Sequence, residues 1–216
     1  MLPSLSVPVV GMLAKRRIRS VSGIAFNSST NATSITIPSL TQQGDLLVGM
    51  DWAQGVSAPP FVQWNGFTLV RNQASSAVRI ATFVKIADEN DAGRAVSGIS
   101  SSTAREKRIA VLRFNVPLKS TSLYHVEQSS ITSGNPAPIV INSDNVPSIT
   151  IGMYATRSGD INTYTFDPAP DGAYGVGAEI VVAWKLFTKS PQSVTIDMGD
   201  NGFSNYQLGM NLILFI

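Results

Sequence analysis

The sequence predicts an all-β fold: an antiparallel, jelly-roll-like β-sandwich built from two similar halves and preceded by an extended N-terminal arm. Three observations predict it. No stretch sustains the 3.6-residue apolar period of an amphipathic helix. Short runs rich in β-branched and aromatic residues instead alternate with turn-forming residues, as they do in sandwiches and barrels. Finally, strand-like segments of the first half return in the same order in the second half.

The predicted strands lie between turn signals. Asn65-Gly66, Asp171-Gly172 and Asn201-Gly202 are dipeptides that accept positive φ in tight turns. The C-terminal run is apolar at nearly every position, which predicts a central strand covered on both faces, with its last residues in the core. The strand-like runs, in chain order, are Ser34–Ile37, Asp45–Asp51, Phe67–Arg71, Val78–Ala87, Lys107–Asn115, Pro138–Asn142, Ser148–Thr156, Glu179–Phe187, Ser193–Met198 and Leu208–Ile216.

An internal repeat supports the two halves. ITIPSLTQQGDLLVGM (35–50) resembles IVINSDNVPSITIGM (139–153), FVKIA (83–87) resembles AWKLF (183–187), and VLRF (111–114) resembles LILF (212–215), at offsets between 100 and 104 residues. We interpret the halves, about 21–116 and 137–216, as half-sandwiches whose inner faces close on each other in a single domain, 21–216. Two separate small β domains are the alternative.

The composition excludes several kinds of chemistry. The 216 residues include no cysteine and a single histidine, His125, which excludes disulfides, thiolate catalysis and multi-histidine metal sites. The longest apolar runs are far short of a membrane span. We therefore predict no cofactor, no bound metal and no membrane partner.

One pair of side chains has the spacing of an acid–base dyad. His125 and Glu127 are two residues apart, so on a strand they would share a face. No nucleophile motif lies nearby to complete a triad, and most aspartates occupy turns, where their side chains bond to nearby backbone amides. We interpret His125 as a surface or partly buried residue and predict that the protein is not an enzyme.

Two tryptophans suggest another function. Trp52 and Trp64 flank AQGVSAPPFVQ (53–63), the segment with the clearest character of an exposed loop. Exposed aromatic rings stack on sugars, so these two residues are candidates for glycan binding. Packing in the core is the more frequent fate of a tryptophan in a β-sandwich and is the competing interpretation.

The N-terminal arm, residues 1–20, carries the most distinctive charge pattern. Its four cations are Lys15, Arg16, Arg17 and Arg19, and the first acidic residue is Asp45. The charges follow the apolar stretch, which is the reverse of a secretory signal. Ordering this arm costs about 1–2 kcal/mol per residue in backbone entropy, which such a segment does not recover alone in water. We predict that the four cations bind an acidic patch on another protein subunit.

Nucleic acid is the weaker alternative for this arm. Beyond residue 20 the chain has 12 basic and 14 acidic residues, so its body is nearly neutral. A nucleic-acid-binding domain normally presents a basic face, and four charges give only a weak, salt-sensitive contact with phosphates. We therefore do not predict a nucleic-acid partner.

The first half also resembles a known group of proteins. The segments that carry the resemblance are GDLLV (44–48), WNGFTLV (64–70), FVKIADENDAG (83–93) and AVLRF (110–114), whose order and spacing resemble those of β-sandwich virion proteins of tailed bacteriophages. WNGFTLV departs from the commoner GWTLV order, which alters the turn before that strand. The resemblance covers roughly residues 20–115, and its motifs are structural rather than catalytic.

The resemblance implies a structural role in the virion. The first expectation is a head-decoration (cement) protein, held by its arm on the major capsid protein or other virion subunits and forming a symmetric homo-oligomer. A tail or fibre accessory protein and a host-glycan-binding adhesin are the alternatives. Fold analogy cannot choose among them, because such sandwiches occur on heads, tails and fibres alike.

Overall fold

The computed structural model describes residues 17–30, 32–54, 63–74, 78–97, 104–130, 136–156, 161–176, 178–197, 199 and 206–216. Within these ranges the chain forms strands and no helix, which confirms the predicted all-β class. The strands are β1 (Val21–Thr30), β2 (Ser34–Thr36), β3 (Leu46–Gln54), β4 (Thr68–Ala74), β5 (Val78–Ile86), β6 (Ala95–Ser97), β7 (Ala104–Phe114), β8 (Ser120–Ser130), β9 (Ile139–Ser143), β10 (Ser148–Ala155), β11 (Thr165–Asp167), β12 (Gly172–Tyr174), β13 (Ile180–Phe187), β14 (Gln192–Asp197) and β15 (Tyr206–Phe215).

The two halves have the same strand order. In the first half, a five-stranded sheet has the order β1-β7-β3-β5-β4, and β2 pairs with β6 in a second layer. In the second half, the five-stranded sheet has the order β8-β15-β10-β13-β12, and β9 pairs with β14, which also pairs with β11. All of these pairings are antiparallel. In each half the chain contributes strands to the five-stranded sheet and to the smaller second layer.

The two halves also share a local irregularity, which is a register shift in an edge strand of each five-stranded sheet. The register of β1 on β7 shifts at Ile24, and the register of β8 on β15 shifts at Tyr124, which is the same position in the two sheets. A β-bulge adds an unpaired residue and increases the local twist, which hinders another strand from adding at an edge. Because β1 and β8 are both edge strands, the bulges protect equivalent edges.

Among the described residues, three apolar cores separate four layers of strands. The largest lies between the two five-stranded sheets and includes Leu46, Met50 and Leu112 from the first half and Ile151 and Met210 from the second. A second core lies between the first sheet and the β2–β6 pair, and a third lies between the second sheet and the β9–β14–β11 layer. Each half therefore has an apolar core of its own in addition to the core that the two halves share.

Two segments differ from their sequence-based interpretation. The stretch 117–136, which falls outside both predicted halves, contains β8, the edge strand of the second sheet. Val21–Thr30 forms β1, which the strand-like runs also omit. Both are edge strands with mixed exposure, so their sequences lack the dense apolar pattern of the central strands.

The C-terminal strand follows the prediction only in part. β15 lies between β10 and β8, and its residues from Tyr206 to Leu212 are buried, as expected of a central strand. Phe215 and Ile216, however, are 46% and 39% exposed. The expectation that the last residues are core is therefore wrong, because they extend beyond the sheets that cover the rest of the strand.

Candidate functional site

The root of the N-terminal arm is fixed on the body of the protein. Ile18 is 5% exposed and belongs to the core between the two halves. Side chains alternate in an extended chain, so Arg17 and Arg19 point the other way, and both are exposed. The arm is therefore anchored by an apolar side chain between two cations that face solvent.

Asn115, just after β7, holds this root with its side-chain amide. Its Oδ1 accepts hydrogen bonds from the backbone N–H groups of Arg19, at 2.8 Å, and Ser20, at 3.2 Å. Its Nδ2 donates to the carbonyl oxygen of Arg17 at 2.9 Å. Each such bond contributes about 0.5–1.5 kcal/mol net, so together they fix the direction in which the arm leaves the body.

A groove of about 660 Å³ lies beside this root. Its apolar part includes three of the exposed large hydrophobic side chains, Val146, Phe215 and Ile216. Its lining consists of Arg17, Ile18, Arg19, Val146, Pro147, Thr188, Lys189, Leu214, Phe215 and Ile216. Exposed apolar side chains rimmed by charged ones are typical of a surface that binds another protein.

A second depression of about 500 Å³ adjoins the groove through Ile216. It adds a further cation, Lys119, and is otherwise lined by Gln43, Gly44, Val116, Pro117 and Leu118. No carboxylate side chain is among the residues that line either depression. We name the two depressions together the root surface. The four cations in its lining, Arg17, Arg19, Lys119 and Lys189, make it electrostatically complementary to an acidic partner.

The structure brings together part of the predicted arm site. Arg17 and Arg19 lie on the root surface, whereas Lys15 and Arg16 fall outside the described residues. Sequence reasoning missed Asn115, Lys189 and Phe215. Only the fold brings these residues to the arm, because they come from three different parts of the chain.

The two candidate glycan-binding tryptophans are buried. Trp52 is 1% exposed and packs in the core between the halves, and Trp64 is 0% exposed in the core of the first half. Trp64 stacks on Phe83 with ring centroids 4.8 Å apart, and its Nε1 donates to Asp51 at 3.2 Å. Neither ring is open to a sugar, so the predicted platform at Trp52 and Trp64 is wrong and core packing is the observed outcome.

The motifs that carry the resemblance hold loops in place. Arg113 of AVLRF donates from Nε and Nη2 to the two carboxylate oxygens of Asp45 of GDLLV, at 2.9 and 2.8 Å, and this contact raises the pKa of Arg113. In FVKIADENDAG, buried Asp91 accepts hydrogen bonds from Lys85 and Arg94. The bond from Lys85 to Asp88 also lowers the pKa of that exposed carboxyl group. Each of these contacts ties a loop or strand to a neighbouring segment of the first half.

His125 and Glu127 lie on one face of β8, as predicted. His125 Nε2 is 3.4 Å from Glu127 Oε1, and their side chains are 37% and 55% exposed. Within the described ranges no three His, Cys, Asp or Glu side chains come together as a bound metal ion requires. Among the same residues no helix has both the length and the apolar character needed to cross a membrane.

Comparisons with known proteins do not assign this arrangement. No protein-family model matches the chain, and no curated protein matches it either.

Proposed function

We propose that the protein is a structural component of a tailed-bacteriophage particle, of the head-decoration (cement) type. It binds the major capsid protein or another virion subunit through its N-terminal arm and the root surface. Its work is the burial of surface at many repeated interfaces, so no chemical step is needed. Bound in this way as a symmetric homo-oligomer, it reinforces the shell.

The observation that carries the proposal is the construction of the root surface. Ile18 and Asn115 fix the arm where it leaves the body, beside a groove that combines exposed apolar side chains with cations. An anchored arm reduces the entropy cost of binding, because the direction of the chain is already set before the partner arrives. The cations favour an acidic partner surface, and the apolar side chains supply area to bury.

The polar chemistry of the first half supports the same proposal. Asp45, Asp91 and Arg113 belong to the segments that resemble virion proteins, and each is used to tie one loop or strand to another. Motifs used in this way specify a rigid sandwich and not a reaction. A rigid body with a tethering arm suits a protein that must withstand load on a particle surface.

The experiment is a binding assay with purified particles. We expect a variant that lacks residues 1–16, and the triple variant R17E/R19E/K189E, to fold but to lose at least tenfold in the amount that sediments with particles. R71E reverses a charge at an exposed position on β4, away from the root surface, and serves as the matched control. Far-UV circular dichroism checks that each variant keeps its β structure.

Quantitative mass spectrometry of the particles gives the number of copies. Hundreds of copies per particle support decoration of the head, whereas a handful indicate a tail or fibre accessory protein. The proposal fails if the chain is absent from particles, or if both the deletion and the triple charge reversal bind as the complete protein does.

A further inference from the structure

A second groove lies in the second half, along the seam between β8 and the β9–β14 layer. It consists of two depressions of about 380 and 360 Å³ that meet at Asn142. The first is lined by His125, Glu127, Gln128, Ala137, Pro138, Ile139, Val140 and Asn142, and the second by Tyr124, Asn142, Ser143, Asp144, Pro191, Gln192 and Ser193. We name it the seam groove.

The equivalent seam of the first half is built differently. The bulge residue Ile24 and its neighbour Ala25, which correspond to Tyr124 and His125, pack on the apolar core beneath β2. Asn27, the equivalent of Glu127, donates from Nδ2 to the carbonyl oxygen of Thr36 on β2 at 2.7 Å. The first half thus closes its seam with apolar contacts and a hydrogen bond to the backbone, whereas the second half places polar and aromatic side chains there.

The side chains of the seam groove fit a particular class of ligand. Tyr124 is 47% exposed and offers an aromatic face. Glu127 and Asp144 accept hydrogen bonds, Ser193 and His125 can donate or accept, and Asn142 can do both at once. A carbohydrate presents hydroxyl groups that both donate and accept, together with C–H faces that pack on aromatic rings.

A buried acceptor lies at the same place. Gln192, which lines the second depression, is 7% exposed, and its Nε2 donates to Ser148 Oγ at 2.6 Å and to the carbonyl oxygen of Asn145 at 3.2 Å. These two bonds fix the amide group, and the Oε1 atom has no hydrogen-bond partner. The side-chain amide of Gln192 is therefore held in one orientation beside the second depression.

Other ligand classes fit less well. The lining includes two carboxylates and neither lysine nor arginine, which disfavours an anion. The polar residues disfavour a purely apolar ligand, which would leave their hydrogen bonds unmade. We propose that the seam groove binds a neutral oligosaccharide, with a sugar ring on Tyr124 and with hydroxyl groups on Asn142 and Glu127. This inference does not depend on the proposed role in the particle.

The test is an array of bacterial surface oligosaccharides, neutral and acidic, probed with the labelled complete protein. We expect binding to neutral glycans. Y124A and N142A should each weaken binding to the best glycan by about tenfold, which corresponds to about 1.4 kcal/mol. Y124F keeps the ring and should stay within about twofold of the original protein. L40A changes an exposed side chain outside the groove and serves as the control.

The two principal variants lie on different strands, so misfolding of one leaves the other informative. The inference is overturned if no glycan binds, if only acidic glycans bind, or if binding occurs but neither Y124A nor N142A weakens it. A synthetic peptide of residues 12–19 is tested in parallel. If this basic peptide binds the groove and glycans do not, the groove is instead a contact for the arm of another copy. Because no particles are used, failure here leaves the proposed structural role untouched.

Discussion

The two halves of the molecule share one strand order but use different polar contacts at equivalent positions. The first half uses ion pairs where the second half uses neutral hydrogen bonds. In the first half, Asp51 on β3 lies opposite Lys107 on β7, with Nζ and Oδ1 3.5 Å apart and both side chains fully buried. At the equivalent place in the second half, Tyr154 on β10 lies opposite Gln207 on β15. The Tyr154 hydroxyl donates to the carbonyl oxygen of Thr165 at 2.9 Å, and Gln207 donates to that of Ala137.

The strand ends show the same difference. In the first half, the ion pair between Asp45 and Arg113 lies at the start of β3. The start of β10 instead has Ser148, whose hydroxyl accepts a hydrogen bond from Gln192, while Asn211 donates to Thr150 Oγ1 at 2.9 Å. Ion pairs and neutral hydrogen bonds thus occur at equivalent positions of the same topology. The shared apolar pattern therefore determines the fold, and the buried polar groups only need to find hydrogen-bond partners.

The largest expected difference in stability is between a variant of the buried ion pair and a variant of its neutral equivalent. K107M leaves the Asp51 carboxylate buried without its cation and should lower the free energy of unfolding by about 3–5 kcal/mol. Q207M removes a neutral hydrogen bond and should cost about 1–2 kcal/mol. Equilibrium unfolding in urea measures both values.

The double variant D51N/K107M removes the uncompensated charge together with its partner. It should therefore recover most of the stability that K107M loses. Equal losses of stability in K107M and Q207M, or a double variant less stable than K107M, would contradict the proposed difference between the buried ion pair and the neutral hydrogen bonds.

A smaller effect distinguishes two equivalent glycines in the central strands. A Cβ on Gly49 would lie 2.3 Å from Trp64 Cζ3, whereas a Cβ on Gly152 would lie 3.1 Å from the Phe166 ring. G49A should cost about 1–3 kcal/mol because the indole is enclosed and must shift. G152A should cost less than about 1 kcal/mol, since small adjustments relieve the contact. Thermal unfolding compares the pair, and a larger loss for G152A would contradict the packing described for the two halves.

The smallest effect concerns the pH dependence of a surface ion pair in the first half. Lys85 lowers the pKa of Asp88 from its ordinary value of 3.8, so the carboxylate stabilises the folded state above that pH. This contribution is lost as the pH falls through the lowered pKa. D88N should be less stable than the original protein by under about 1 kcal/mol at pH 7, because Asp88 is half exposed.

The measurement is a series of urea unfolding curves between neutral and strongly acidic pH. The difference between the original protein and D88N should shrink as the pH falls below about 4, and it should also shrink in 1 M salt. A difference that grows on acidification would reverse the assignment of Asp88 as the stabilised carboxylate.

The edge strands show where sequence patterns cease to be informative. The central strands β3, β10 and β15 were predicted because both faces of each strand are covered, which imposes dense apolar runs. The edge strands β1 and β8 are covered only in part, so their sequences alternate weakly and were not predicted. Their pairing follows from the neighbours β7 and β15, which lie far away along the chain.

The candidate sites were likewise predictable only where the linear sequence itself carries the signal. The cations of the arm were predicted because an uncompensated run of charge is visible in the linear sequence. For Trp52 and Trp64 the sequence left core packing and glycan binding as competing interpretations, since a loop-like flank does not reveal what covers a ring. Asn115, Lys189 and Tyr124 acquire their significance only from neighbours that the fold brings to them.

The sequence by itself determined the all-β class, the repeat of two halves and the basic arm, because composition, periodicity and charge are properties of the chain. Only the tertiary structure decided that each half has its own core, that the tryptophans are buried, and that two grooves lie at different places on the surface. The physical reason is that burial and exposure depend on which strands pack together, and pairing between strands that are distant along the chain leaves little trace in any single segment.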